Sequence, residues 1–142
     1  MTGVRRLLSR LAVNEVRTRG TPAYPDIQPL ALPLDPQAAF DAAVEAARSM
    51  PRWTVIESSS RDRSLRVEAR TRLLRFTDDV WIWIEAAGGG ASRVQVRSRS
   101  RVGIWDLGTN ARRVRAYFAR IRGPGAQSGS CSAWIRGSPE AS

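Results

Sequence analysis

The sequence predicts an α+β fold: a four-stranded antiparallel sheet flanked by two helices, in the order α-β-β-β-β-α, with an extended Pro-rich N-terminal strap. Three observations carry this. Between residues 53 and 102, four apolar runs are separated by short polar or glycine-rich turns, and two of them alternate apolar with charged side chains, the period of a strand with one buried face. Before and after those runs, apolar residues recur at steps of three and four, the period of a helix lying on a core. Five prolines between residues 21 and 36 preclude a helix there. With 142 residues, 42% of them apolar, the chain can fill one core. It therefore divides into a basic N-terminal segment (1–20), one domain (21–122) and a Gly/Ser-rich tail (123–142) expected to be disordered.

Taken in order, the N-terminal segment sets Arg5, Arg6 and Arg10 around Leu7, Leu8 and Leu11, an apolar run too short and interrupted for a secretory signal. The strap follows, with Ile27, Leu30, Leu32 and Leu34 as anchors to the core. Asp35-Pro36 reads as an N-cap followed by a proline in the first turn, and Phe40, Ala43, Val44 and Ala47 form the apolar stripe of a helix over Pro36–Ser49, stopped at Met50-Pro51.

The strands are expected at Trp53–Glu57, Leu65–Leu73, Val80–Ala86 and Arg93–Val102. In the second, Leu65, Val67, Ala69, Thr71 and Leu73 face inward, while Arg66, Glu68, Arg70 and Arg72 stay wet. The third is apolar on both faces, through Val80, Ile82 and Ile84 and through Trp81 and Trp83, and so belongs at the sheet centre. In the fourth, Val94, Val96, Ser98, Ser100 and Val102 face inward against Arg93, Gln95, Arg97, Arg99 and Arg101. The turn at Gly88-Gly89-Gly90 sets a register in which Glu85 meets Arg93, Trp83 meets Gln95, Trp81 meets Arg97 and Asp79 meets Arg99. A second helix, capped by Asp106 and striped by Leu107, Ala111, Val114, Phe118 and Ile121, ends at Gly123-Pro124-Gly125.

Composition excludes whole classes of chemistry. The chain has no histidine and one cysteine, which removes His-dependent triads, the usual zinc sets and any internal disulfide. Cys131 sits in the tail without the basic or helical setting that activates a thiol. No stretch reaches the roughly 18 apolar residues of a membrane span. All 23 basic residues are arginine, and against 13 acids they leave a net charge of +10, which favours an anionic partner. The charge is segregated: the excess lies in residues 1–20, 61–75 and 93–122, whereas 21–60 and 76–92 are acidic.

The runs Pro22-Ala23-Tyr24-Pro25 and Phe76-Thr77-Asp78-Asp79-Val80, and above all the long run from Arg97 through Trp105-Asp106-Leu107-Gly108-Thr109-Asn110 to Val114, resemble the bacterial family DUF1499, over about Asn14 to Arg122. The resemblance implies no established activity and no catalytic residues. Many relatives carry a membrane-spanning or lipoprotein-like part ahead of this domain, which implies the cell envelope. As written the chain reads as soluble, and as envelope-associated if a membrane segment precedes Met1.

The hairpin register and the second helix's cap would gather Asp78, Asp79, Arg97, Arg99, Arg101, Asp106, Asn110 and Arg113 at one end of the sheet. Such a set closes turns and pairs charges in ordinary domains; it can also hold an anion, and paired carboxylates beside arginine can do acid/base work when their pKa values are pushed apart. The arginines there would repel a divalent cation, and Gly88-Gly89-Gly90 reads as a hairpin turn, so neither metal nor cofactor is expected. Trp81 and Trp83, interleaved with arginine on the outer face, could stack on bases, or lie covered by helix or strap. The leading expectation is a non-catalytic binding or accessory domain at the envelope that engages an anionic lipid head group or acidic protein surface. The alternatives are an enzyme using Asp78 or Asp79 with Arg101 and Arg113 on an anionic substrate, and a single-stranded nucleic-acid binder. Oligomeric state stays open.

Overall fold

Asp35 opens the first helix by the chemistry its position requires: Oδ1 accepts from the backbone N–H of Gln37 (3.0 Å) and Ala38 (3.1 Å), two donors that have no partner inside the helix. Pro36 fills the first turn, where its missing N–H costs nothing. The structure, a computed structural model, describes residues 15–72, 75–102 and 108–123. Its elements are β1 (Glu15–Arg17), β2 (Leu30–Leu32), α1 (Pro36–Ser49), β3 (Trp53–Ser59), β4 (Ser64–Arg70), β5 (Thr77–Gly88), β6 (Ala91–Ser100) and α2 (Thr109–Arg122). The strands form one antiparallel sheet in the order β1-β6-β5-β4-β3, with β2 also paired to β6.

The fold is therefore α+β, but the sheet has six strands instead of the expected four, and the element order is β-β-α-β-β-β-β-α. The two additional strands lie end to end along β6: Glu15↔Arg99 to Arg17↔Arg97, then Leu30↔Val94 to Leu32↔Ser92. Residues 18–29 leave the ladder between them and return. Three-residue strands have too little sequence to show a period, which is why this edge escaped the pattern. Pro29 and Pro33, which flank β2, are tolerated because an edge strand needs to pair on only one side.

Strand ends also differ from expectation. β4 stops at Arg70, and Leu73 lies outside the described residues. β6 stops at Ser100, and Val102 sits in a bend, 52% exposed. The expected β5–β6 register is the observed one: Glu85↔Arg93, Trp83↔Gln95, Trp81↔Arg97 and Asp79↔Arg99. Gly88, Gly89 and Gly90 all take positive φ, the backbone that a tight hairpin needs and that only glycine adopts without strain.

Both helices cover the same face, α1 across β3 to β6 and α2 over β6 and β1. Under them lie Leu65, Val67, Val80, Ile82, Val94 and Val96, all buried. The anchors Ile27, Leu30 and Leu32 are buried as well, so the strap closes one side of this core. The helices are joined by Tyr117, whose hydroxyl donates to the Ala43 carbonyl (2.7 Å) and whose ring stacks on Trp53 at 5.1 Å. Burial pushes that hydroxyl far above the ordinary tyrosine pKa.

The second helix begins differently from its expected form. Gly108, at φ 76°, holds the cap position; Asp106, expected as the cap, lies outside the described residues. Gly123 closes the other end, its N–H reaching the carbonyls of Ala119 and Arg120. Among the described residues no helix is long and apolar enough to cross a membrane.

Candidate functional site

Strand parity decides where the candidate residues go. Asp78 is level with Val80 and Ile82 on the inner face and is 1% exposed, whereas Asp79 is level with Trp81 and Trp83 on the outer face. The single constellation expected at the sheet end is therefore two clusters, separated by the thickness of the sheet.

The inner cluster is a closed polar island under α2. Arg113 Nη2 donates to Asp78 Oδ2 (2.5 Å), and Nη1 donates to Ser98 Oγ (3.0 Å) and Asn110 Oδ1 (2.7 Å). Ser98 Oγ donates to Asn110 Oδ1 (2.6 Å), and Asn110 Nδ2 donates to Ser100 Oγ (3.0 Å). The side chains of Arg113 and Asp78 are 7% and 2% exposed, so the pair is shut from water. A carboxylate in such surroundings stays compatible with the fold because a guanidinium neutralises it and donates to it. The island joins β5, β6 and the first turn of α2.

The outer cluster is open. Arg101 donates through Nε and Nη2 to Asp79 (2.8 Å each) and through Nη2 to Glu68 Oε1 (2.5 Å). Glu68 and Asp79 face each other directly across β4 and β5, so Arg101 bridges two like charges that would otherwise repel. Arg66 lies beside the same pair, 3.6 Å from Asp79 and 3.8 Å from Glu68. Hydrogen bonds from Arg101, more than any opposing burial, hold the Asp79 carboxyl below the usual range. Arg101 is in turn raised further by Asp79 and Glu68. Asp79 is thus an ionised, occupied acceptor at neutral pH, which makes it a poor general acid or base.

Along the same face Glu15 takes a hydrogen bond from Arg97 Nη2 (3.0 Å) and from Arg17, with Arg99 Nε at 3.9 Å. Burial raises the Glu15 carboxyl, but Arg97 and Arg17 outweigh it and leave the pKa lowered. The Arg97 guanidinium lies 4.8 Å from the Trp81 ring. Trp81 and Trp83 are half-buried; what packs on Trp81 is arginine from the neighbouring strand. The two tryptophans, with Arg66, Ser64, Ser59 and Glu57, line an open groove of about 460 Å³.

Gln95, expected on the wet face, is fully buried. Its Oε1 accepts from Thr18 Oγ1 (2.6 Å) and its Nε2 donates to Glu85 Oε2 (3.1 Å), where the chain leaves β1 and neither β1 nor β2 pairs with Gln95 or Val96 of β6. Gln95's hydrogen bond is the main reason the Glu85 carboxyl is lowered, with Trp83 and Arg19 adding to it.

Of the candidate residues, Asp78, Asn110 and Arg113 come together in the inner cluster and Asp79, Arg97, Arg99 and Arg101 lie on the outer face, while Asp106 lies outside the described residues; the sequence reading did not single out Glu15, Glu68 and Arg66, which meet Arg97, Arg101 and Asp79. The alternation of Arg66 and Glu68 with apolar residues put them on the correct face; the missing information was the register of β4 against β5. Among the described residues no group of three or more cysteines or acids is placed to hold a metal ion.

A family model described as a protein of unknown function, DUF1499, matches residues 9–121. No curated protein and no solved structure matches the chain.

Proposed function

The chain belongs to the DUF1499 family, and from that premise we propose that it is a non-catalytic binding or accessory domain at the bacterial cell envelope, engaging an anionic partner, a lipid head group or an acidic protein surface, through the uncovered face and end of its sheet. One observation carries the reading. On that surface Glu15, Glu68, Asp79 and Glu85 are each already engaged by arginine, whereas Arg52, Arg70, Arg72 and Arg75 are exposed and pair with no carboxylate among the described residues. A surplus of guanidinium over occupied acids attracts anions and speeds their encounter. Placement at the envelope rests on the relatives' N-terminal parts.

The paired state of both candidate carboxylates weighs against the enzymatic alternative. Asp78 is closed in with Arg113, and Asp79 is held ionised by Arg101. A base stacking on Trp81 would have to displace Arg97, which weighs against single-stranded nucleic acid. Flotation with anionic and with neutral vesicles tests the lipid form: recovery should be high with the anionic vesicles and fall steeply with salt. Equally low recovery with both would count against it.

A further inference from the structure

Among the described residues three large apolar side chains stand exposed, and two of them share one place. Phe76 (38% exposed) precedes β5 and Val102 (52% exposed) follows β6. The last bridged pair at that end is Asp78↔Ser100, so Phe76 and Val102 each lie two residues beyond it on neighbouring strands. The third, Ile56, sits on the edge strand β3 at a bulge.

Arginine surrounds this place. Arg70 ends β4, and Arg72 and Arg75 lie in the connection to β5. Arg52 precedes β3, and its carbonyl accepts from the backbone N–H of Arg70 at 2.9 Å. All four are exposed. Among the described residues, the acids at the same end are engaged: Asp78 by Arg113, Asp79 and Glu68 by Arg101. The opposite end differs. There the glycine hairpin exposes no large apolar side chain, and Glu85 sits among Arg19 and Arg93.

We infer that the sheet docks end-on against an anionic lipid bilayer, with Phe76 and Val102 entering the interfacial layer and Arg52, Arg70, Arg72 and Arg75 meeting the head-group phosphates. This rests on the anionic-partner reading and narrows it. Exposed apolar groups ringed by guanidinium complement a boundary that is apolar below and anionic above. An acidic protein surface would satisfy the arginines and leave the apolar pair without purpose.

The experiment places an environment-sensitive fluorophore on Phe76→Cys or, about 35 Å away along β5, on Ala87→Cys. Both are made with Cys131→Ser, which removes the chain's own thiol. Added phosphatidylglycerol vesicles should shift the emission to the blue at position 76 and leave position 87 unchanged, and phosphatidylcholine vesicles should do neither. In the unlabelled chain, Arg72→Glu/Arg75→Glu should weaken vesicle binding by at least about tenfold. Phe76→Ser/Val102→Ser should weaken it with the far-UV spectrum unchanged. Vesicle binding with equal shifts at both positions, a shift at 87 alone, or none at either would overturn end-on docking and leave the anionic-partner reading standing. So would retention on immobilised polyglutamate without vesicle binding. Binding to neither polyglutamate nor vesicles would overturn both.

Discussion

Asp78 and Asp79 are neighbours in the chain, carry the same charge and each meets an arginine, yet the sheet sends them to different solvents. Asp78 and Arg113 sit in a dry island under α2, with Ser98 and Asn110 accepting from Arg113 as well. Asp79 and Arg101 lie on the uncovered face, with Glu68 and Arg66 beside them. The chemistry of the two pairs is nearly the same. What differs is the cost of losing a partner: inside, the survivor is a stranded charge, whereas outside water takes the partner's place.

The largest effect expected from this difference is on stability. Arg113→Ala should lower the unfolding free energy by about 3–5 kcal/mol, read from denaturant midpoints, because it removes the guanidinium that pairs with the buried Asp78 carboxylate. Removing both charges together, as Asp78→Leu/Arg113→Met, should recover most of that loss. If the double variant were as unstable as the single one, the island would be held by packing geometry and not by charge neutralisation.

A smaller effect on the same side of the molecule tests whether the buried hydrogen bonds matter one by one. Tyr117→Phe removes the donor to the Ala43 carbonyl and should cost about 0.5–1.5 kcal/mol, with the Trp53 stacking retained. A negligible change would mean that the two helices are joined by ring packing alone.

The outer face sharpens the comparison through pH. The folded pKa values of Asp79, Glu15 and Glu85 lie below their ordinary ones, so their ionised forms stabilise the fold above about pH 4–4.5. That contribution is lost as the pH falls through the lowered values. Stability measured from pH 7 to pH 3 should therefore decline on the acid side, and the decline should be shallower in Asp79→Asn/Glu15→Gln. Least of all, Arg101→Ala at neutral pH should move the midpoint by roughly a third or less of the Arg113→Ala shift, and the difference should shrink in high salt. A large, salt-independent loss would show that the outer pair behaves like the inner one.

The parity that separates Asp78 from Asp79 was legible in the chain. Val80, Ile82 and Ile84 alternate with Trp81 and Trp83, and a period of two cannot place consecutive residues on one face. The glycine turn then paired Asp79, Trp81, Trp83 and Glu85 with their partners on β6. Helix α1 was equally legible, because Asp35-Pro36 and Met50-Pro51 bracket an apolar stripe. Treating the candidate residues as one group nonetheless overlooked that parity. The edge formed by β1 and β2 was hidden for another reason: three residues carry no period, and their partners lie 60 or more positions away. Gln95 was misassigned because Thr18, which caps it where that edge strand breaks, adds its cover to that of Glu85 on β5.

By itself, then, the sequence determined the local periods, the helix starts and stops, the central hairpin register and the excess of arginine, since each depends on residues close together in the chain. Tertiary structure alone decided that β1 and β2 share β6, that Arg101 bridges Glu68 and Asp79, and that Phe76 and Val102 stand exposed just beyond the last bridged pair at one end of the sheet. Those outcomes depend on which distant backbones find hydrogen-bonding partners and on how much water is left beside each charge, and both quantities exist only once the chain has closed on itself.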